Sequence, residues 1–255
     1  MNTILALKDI RYSYQDTKCE TCAIQNISLD VKKGEFISIV GPSGCGKSTL
    51  LSIIAGIIAP DSGDIFFHYD SSLVSPVRPI GYMLQHDNLL EWRDVYQNCI
   101  LGLEIHHALS SEHTTYVRSL LNNYGLSSFM HKKPSELSGG MRQRVALIRT
   151  LVLKPELLLL DEPFSALDYQ TRLVVSQDIC NKIRAEGKTT ILVTHDLSEA
   201  ISLSDRIYVL SPRPAVIKDV FDIHLTLDPQ DPLSARKAPE FQYYFQKVWE
   251  ALYGA

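Results

Sequence analysis

The segment Gly41-Pro42-Ser43-Gly44-Cys45-Gly46-Lys47-Ser48-Thr49 follows the pattern Gly-x-x-x-x-Gly-Lys-Ser/Thr, whose residue types and spacing suit a polyphosphate. Glycines at 41, 44 and 46 let the backbone curl until successive N–H groups point inward at phosphate oxygens. A helix starting at the lysine adds its positive end to the same place. Lys47 is the expected cation for the β and γ phosphates, and the Ser48 hydroxyl is an oxygen ligand for Mg²⁺.

Such a loop needs a strand before it and a helix after it. Phe36-Ile37-Ser38-Ile39-Val40 is short, apolar and β-branched, as a buried parallel strand would be, and Lys47 to Ile57 is long enough for a helix. Upstream, Leu5 to Tyr14 and Ile24 to Val31 alternate like half-exposed strands, which predicts an antiparallel sheet at the start. Downstream, Ala59 to Asp64 is a dense turn signal, followed by Ile65-Phe66-Phe67 and by a strand from Ile80 to Leu84. From about His86 to Pro134 the pattern becomes helical, with segments Val95 to Ile105 and Thr115 to Tyr124, and reads as an inserted helical subdomain. Leu137 to Arg144 opens a further helix that stops at Lys154-Pro155. Leu157 to Leu160 is a buried strand running into Asp161-Glu162. A helix from about Gln170 to Ala185 and a strand from Thr189 to Thr194 follow, with Ile207 to Leu210 expected as the last β element of the core.

Gln85, the pair Asp161-Glu162, and His195 thus each stand at the C-terminal end of an expected strand, as does the phosphate loop. In an open α/β sheet that edge is where ligands bind, so four segments converge on one place.

With 255 residues, 45 % hydrophobic and 21 % charged, the chain can bury a sizeable core. A net charge of −4 argues against nucleic acid as a partner and against a polybasic membrane anchor. The longest apolar stretch, Leu50 to Ala59, is about half of a bilayer span. Five cysteines, at 19, 22, 45, 99 and 180, form no disulfide framework and fit a reducing compartment. Cys19 and Cys22 make a lone C-x-x-C with no second pair, read as a surface loop rather than a metal site. His106-His107 reads as a solvated helix surface, because adjacent helix residues do not face one another.

Beside the phosphate loop stand Leu137-Ser138-Gly139-Gly140-Met141-Arg142-Gln143, the acidic strand Leu157 to Glu162, the turn Ser165-Ala166-Leu167-Asp168, and Thr194-His195-Asp196. In this order they make the chain resemble the ATP-binding subunit of an ABC transporter, from about Leu5 to Leu210. The resemblance implies an α/β fold: a P-loop NTPase core with a mostly parallel sheet (about 1–85 and 155–212), an N-terminal antiparallel β subdomain, an inserted α-helical subdomain (about 86–154) and a short C-terminal appendage (about 213–255).

Roles follow from phosphoryl transfer, where the protein mainly positions phosphates and neutralises developing charge. Asp161 suits Mg²⁺, a hard cation that takes oxygen ligands. Glu162 faces the attacking water and polarises it. The resemblance implies that His195 hydrogen-bonds the γ phosphate, that Gln85 reaches Mg²⁺ and the water, and that Tyr14 stacks on adenine. Ser138, Gly139 and Gly140 open a helix and form a second anion site. In the family this signature closes on ATP held by the other subunit, with the Asp168 turn crossing between subunits.

One loop and one signature per chain, separated by 91 residues (138 − 47), therefore imply a head-to-tail dimer with two ATPs at its interface. The implied partners are a second copy of the ATPase, a membrane permease that tethers it to the cytoplasmic face of the membrane, and, indirectly, a solute-binding protein. Asp87 to Asp94 resembles the segment that receives a permease helix, with Glu91 where nitrate, sulfonate and taurine importers usually carry proline. Ser211-Pro212-Arg213-Pro214 and an amphipathic tail from Phe241 to Leu252 suggest the same importer type. An ABC-type ATPase serving a soluble assembly partner and an exporter half remain alternatives.

Overall fold

The computed structural model describes residues 3–15, 20–68, 80–165, 167–227 and 234–254. Cys19 and Ala166 lie outside them.

The chain builds two sheets. The smaller contains β1 (Thr3–Gln15), β2 (Glu20–Lys32) and β4 (Ser62–Phe67), antiparallel in the order β2-β1-β4, as the alternating sequence predicts. Cys22 sits inside β2, half-buried, rather than in a surface loop. The larger contains β3 (Phe36–Val40), β5 (Ile80–Met83), β6 (Leu157–Asp161), β7 (Thr189–Val193), β8 (Arg206–Leu210) and β9 (Ile217–Asp222) in the order β5-β6-β7-β3-β8-β9. Every neighbouring pair is parallel except β8 with β9, so Ile207 to Leu210 is not the last β element: an antiparallel edge strand follows it.

β6 explains the apolar runs. Its side chains alternate between two cores: Leu158 and Leu160 pack among the helices, and Leu157 and Leu159 pack toward the small sheet and α1 (Lys47–Ile54). A strand buried on both faces cannot alternate polar with apolar residues. Helix α1 ends before the expected Ile57 because Gly56 takes left-handed backbone there, at φ +71°.

The expected helix from Val95 to Ile105 is bent into α2 (Val95–Cys99) and α3 (Leu101–Ile105). Ile100, at ψ −2°, loosens the spiral, while the Ile100 N–Tyr96 O and Glu104 N–Ile100 O bonds still cross the junction. Helix α4 (Ser111–Asn123) begins ahead of the expected Thr115 because the Ser110 hydroxyl caps it. Helices α5 (Gly139–Leu151), α6 (Tyr169–Ala185), α7 (Leu197–Leu203) and α8 (Ser234–Lys237) follow. The tail forms α9 (Phe241–Tyr253), whose Val248 and Leu252 pack on Ala200 and Ile201 of α7.

The segment after Gln85 is pinned rather than free. Buried Asn98 accepts from Leu90 N at 2.8 Å and donates to the carbonyls of Leu90, Arg93 and Asp94. Arg142, in the first turns of α5, pairs with Asp87 at 2.8 Å and with Glu91 at 2.9 Å. Arg149 of α5 donates to the backbone carbonyls of Asp87 and Asn88. Among the apolar side chains of this segment, Leu89 packs into the helical core, Leu90 is half-buried, and Trp92 is 73 % exposed.

Candidate active site

The phosphate loop leaves β3 in the middle of the larger sheet and turns through left-handed backbone at Gly44 (φ +73°) and Gly46 (φ +124°). A Cβ at Gly46 would also stand 3.2 Å from the Ala23 carbonyl, so the loop can lie against β2 only without one. Lys47 is buried, and its Nζ donates to the carbonyls of Gly41 (2.8 Å) and Pro42 (2.9 Å), which hold the ammonium over the loop. Cys45 is buried behind it.

The loop opens into a cleft of about 410 Å³, within the ~300–1,000 Å³ of small-molecule sites. Ser43, Gly44, Gly46, Lys47, Ser48 and Thr49 line one side, with Gln85, Glu162, His195 and Arg213 around them. Three strand ends meet on one carboxylate oxygen: Gln85 Nε2 donates to Glu162 Oε2 at 3.3 Å, and His195 Nδ1 lies 3.2 Å from the same atom. Glu162 itself has left-handed backbone, φ +45°, a conformation that costs a non-glycine residue on the order of 1–3 kcal/mol. It is held there by the bonds Glu162 N–Val193 O (2.9 Å), Ser165 N–Glu162 O (3.1 Å) and Ser165 Oγ–Glu162 O (3.0 Å).

Asp161 lies deeper. Burial raises its carboxyl pKa, the hydrogen bond from Ser48 opposes that, and the neighbouring Glu162 charge adds to it. Asp161 Oδ1 is buried without a hydrogen-bond partner. An open carboxylate lone pair beside a serine hydroxyl fits a hard cation such as Mg²⁺. Among the described residues no three His, Cys, Asp or Glu side chains could hold a metal between them, so such an ion would need phosphate and water oxygens as well.

Tyr14 stands at the lip of the loop, 41 % exposed, with its hydroxyl 2.8 Å from Thr49 Oγ1 and its ring edge-on to Tyr12. Ser138, Gly139, Gly140 and Asp168 do not reach the cleft. The Ser138 hydroxyl caps α5 by accepting from Met141 N, and Asp168 caps α6 by accepting from Thr171 N at 3.0 Å. The hydrogen bond to Thr171 holds the Asp168 carboxyl below the usual range. A Cβ on Gly140 would lie 3.3 Å from Leu167 Cδ2, so the signature and the Asp168 turn share one outer surface, on which Ser138, Gly139 and Asp168 are exposed. Arg213 also lines the cleft, which sequence reasoning did not place there; its position three residues after the end of β8 was the available signal.

A mostly parallel sheet with a phosphate loop at its centre, and carboxylates and a histidine at adjacent strand ends, defines a nucleotide-hydrolysing α/β protein. The sequence profile described as ABC transporter matches residues 24–165. An uncharacterized ABC transporter ATP-binding protein of Bacillus subtilis, YtlC, is 44 % identical, covering 98 % of this chain and 96 % of that one. The taurine import ATP-binding protein TauB of Roseobacter denitrificans is 40 % identical (86 % and 82 %), and the nitrate import ATP-binding protein NrtD of Synechocystis 36 % (98 % and 95 %). The dimeric structure of a bacterial ABC transporter cassette superposes with a TM-score of 0.74 at 32 % identity, covering 87 % of this chain and 99 % of that one. This chain belongs to the ABC transporter family, as an ATP-binding subunit with ATPase activity.

Behind His195, Thr194 Oγ1 donates to the buried carboxylate of Glu199. Burial pushes the Glu199 carboxyl up to about 7 from 4.5, against the Thr194 bond. Between those values the folded chain holds a proton that the unfolded chain has released, so stability falls as pH rises through that window. Glu199→Gln, which does not titrate, should gain thermal stability relative to the parent as pH rises from about 4.5 to 7, by an amount on the order of 3 kcal/mol at full ionisation. Parallel melting curves across that range would contradict it.

Proposed function

We propose that this chain energises the import of a small solute through a separate membrane permease, acting as a head-to-tail homodimer at the cytoplasmic face of the membrane. The observation that carries the ATPase half is the meeting of Gln85 and His195 on the Glu162 carboxylate at the mouth of the phosphate loop. Relatives named for nitrate and taurine import support a small solute of that kind. We divide the chain into an ATPase core of about 1–85 and 155–212, a helical subdomain of about 86–154 and an appendage of about 213–255.

The roles follow from position. Lys47 exchanges the Gly41 and Pro42 carbonyls for β and γ phosphate oxygens, and the amides of Gly44, Cys45 and Gly46 surround the same group. Thr49 and Tyr14 take the nucleoside side. Ser48 and Asp161, with Gln85, hold Mg²⁺, which when bound offsets phosphate charge. Glu162 orients and polarises the attacking water, and His195 contacts the γ phosphate. The exposed surface of Ser138, Gly139, Gly140 and Asp168 completes the cleft of a second copy, which agrees with its separation from the cleft of its own chain. Among the described residues no helix is long and apolar enough to cross a membrane, so membrane attachment would come through the permease, and a solute-binding protein would act only indirectly.

The docking surface is the segment from Leu89 to Asp94. Trp92 is exposed there, Arg142 ties the segment to the signature helix through Glu91, and Arg149 holds Asp87 and Asn88 just before it. A shift of Gln85 on loss of the γ phosphate would therefore move the docking surface and the signature together.

Glu162→Gln should still bind MgATP while hydrolysing it roughly 10²- to 10⁴-fold more slowly, since the amide keeps the shape and loses the charge that polarises water. The ATP-bound dimer should persist on size exclusion, whereas Lys47→Ala should lose nucleotide affinity. Hydrolysis at the parent rate by Glu162→Gln would refute its role.

Leu90→Asp combined with Trp92→Ala should leave the isolated subunit folded and able to bind ATP, but abolish co-purification with the permease and solute uptake. Normal association and uptake would sink the docking assignment.

A further inference from the structure

We propose that Arg213 is a nucleotide-binding residue of its own chain, a guanidinium placed on phosphate oxygens that ATP and ADP share. The proposal rests on the assignment of the cleft to ATP. Arg213 lines that cleft together with Ser43 and Gly44 of the phosphate loop. Its side chain is exposed, and among the described residues no carboxylate lies within ion-pair distance of it. The contrast with Arg206, at the start of the preceding strand β8, is direct: that guanidinium is held by Asp30 at 3.2 Å and Glu35 at 2.9 Å. A cation facing a phosphate cradle and lacking a protein anion has its natural partner in the ligand. The planar fork of arginine suits two phosphate oxygens at once.

The backbone that carries Arg213 is fixed. Ser211 Oγ accepts from Val216 N at 3.0 Å and lies 2.8 Å from the Pro212 carbonyl. Ala215 N donates to Ala23 O at 2.9 Å, and Gln25 N to Ala215 O at 2.9 Å, so the turn is stitched to β2. Only the side chain remains to be ordered on binding, which keeps the entropic cost low. That stitching also places Arg213 by role. Gln85, Glu162 and His195 follow β5, β6 and β7, on one flank of β3, whereas Arg213 follows β8 on the other. Strand β2 pairs with β1, which carries Tyr14. Arg213 thus enters the cleft from the flank of β3 opposite Gln85, Glu162 and His195, beside β2, and its contribution belongs to the ground state of either nucleotide.

The test titrates fluorescent ATP and ADP analogues, with Mg²⁺, into the full chain and into Arg213→Gln and Arg213→Lys, alongside nucleotide-free melting curves and steady-state ATP hydrolysis. Losing a charge-assisted contact should weaken both nucleotides by roughly tenfold or more in Arg213→Gln. Arg213→Lys should recover part of the loss. The change should appear in KM rather than kcat, and raised salt should weaken the parent more steeply than Arg213→Gln. If Arg213→Gln does not fold, a clear loss of affinity for both nucleotides in Arg213→Lys supports the proposal, and full parent affinity overturns it. Parent-like affinity of Arg213→Gln for both nucleotides would overturn the proposal, as would a loss confined to ATP or to kcat. Parent-like affinity with a lost ATP-dependent dimer would overturn it in favour of a subunit contact. A parent chain that bound neither nucleotide would instead bring down the assignment of the cleft itself.

Discussion

A polyphosphate carries its charge on several oxygens that need donors at the same time, and the turn from Val40 to Lys47 is where this chain can supply them. That turn exists only because positions 44 and 46 adopt left-handed backbone, where a side chain would be strained and, at 46, would press on the Ala23 carbonyl. The rest of the larger sheet is arranged about it. β3 lies between β7 and β8, so the residues after those two strands flank the loop, and β6 brings its acidic pair one strand further out. The apolar runs of β3, β6 and β7 keep the sheet buried on both faces, which fixes these strand ends relative to one another.

Precision at the edge comes at the expense of local strain and unpaired groups. Glu162 is held in left-handed backbone by Val193 and Ser165, and Asp161 keeps a buried oxygen without a partner. Both features would be destabilising in an ordinary strand end. They are consistent with groups whose partners arrive with the ligand. Behind them, Thr194 and Glu199 support the backbone on either side of His195 and Asp196, and Arg142 and Arg149 connect the segment after Gln85 to the helix that the signature opens. Between the two groups of contacts lies only the short backbone step from Gln85 to Asp87.

Much of this was legible in the sequence because it depends on local residue types. The phosphate loop, the buried leucines of β6, the acidic pair and His195 each announced a strand end, and the alternation of β1 announced the small antiparallel sheet. The ABC family assignment followed from the order of those motifs. What the sequence concealed was set by tertiary contact. The helix from Val95 is bent at Ile100, Leu89 is drawn into the helical core, and β9 adds an antiparallel edge where no strong alternation signals it. The backbone of Glu162 and the approach of Arg213 to the loop depend on hydrogen bonds to Val193 and Ala23, residues distant in sequence, and no spacing rule carries them.

In the proposed dimer one chain holds half of each working site, the cleft at Lys47 belonging with the signature at Ser138 of a second copy. Lys47→Ala and Ser138→Arg subunits, each inactive alone, can be mixed and their hetero-dimers isolated through two different tags. One composite site then carries both defects and the other carries neither, so the hetero-dimer should regain ATP hydrolysis that neither parent variant has. Hetero-dimers, verified by interface crosslinking, that hydrolyse ATP no faster than either variant alone would contradict the shared site.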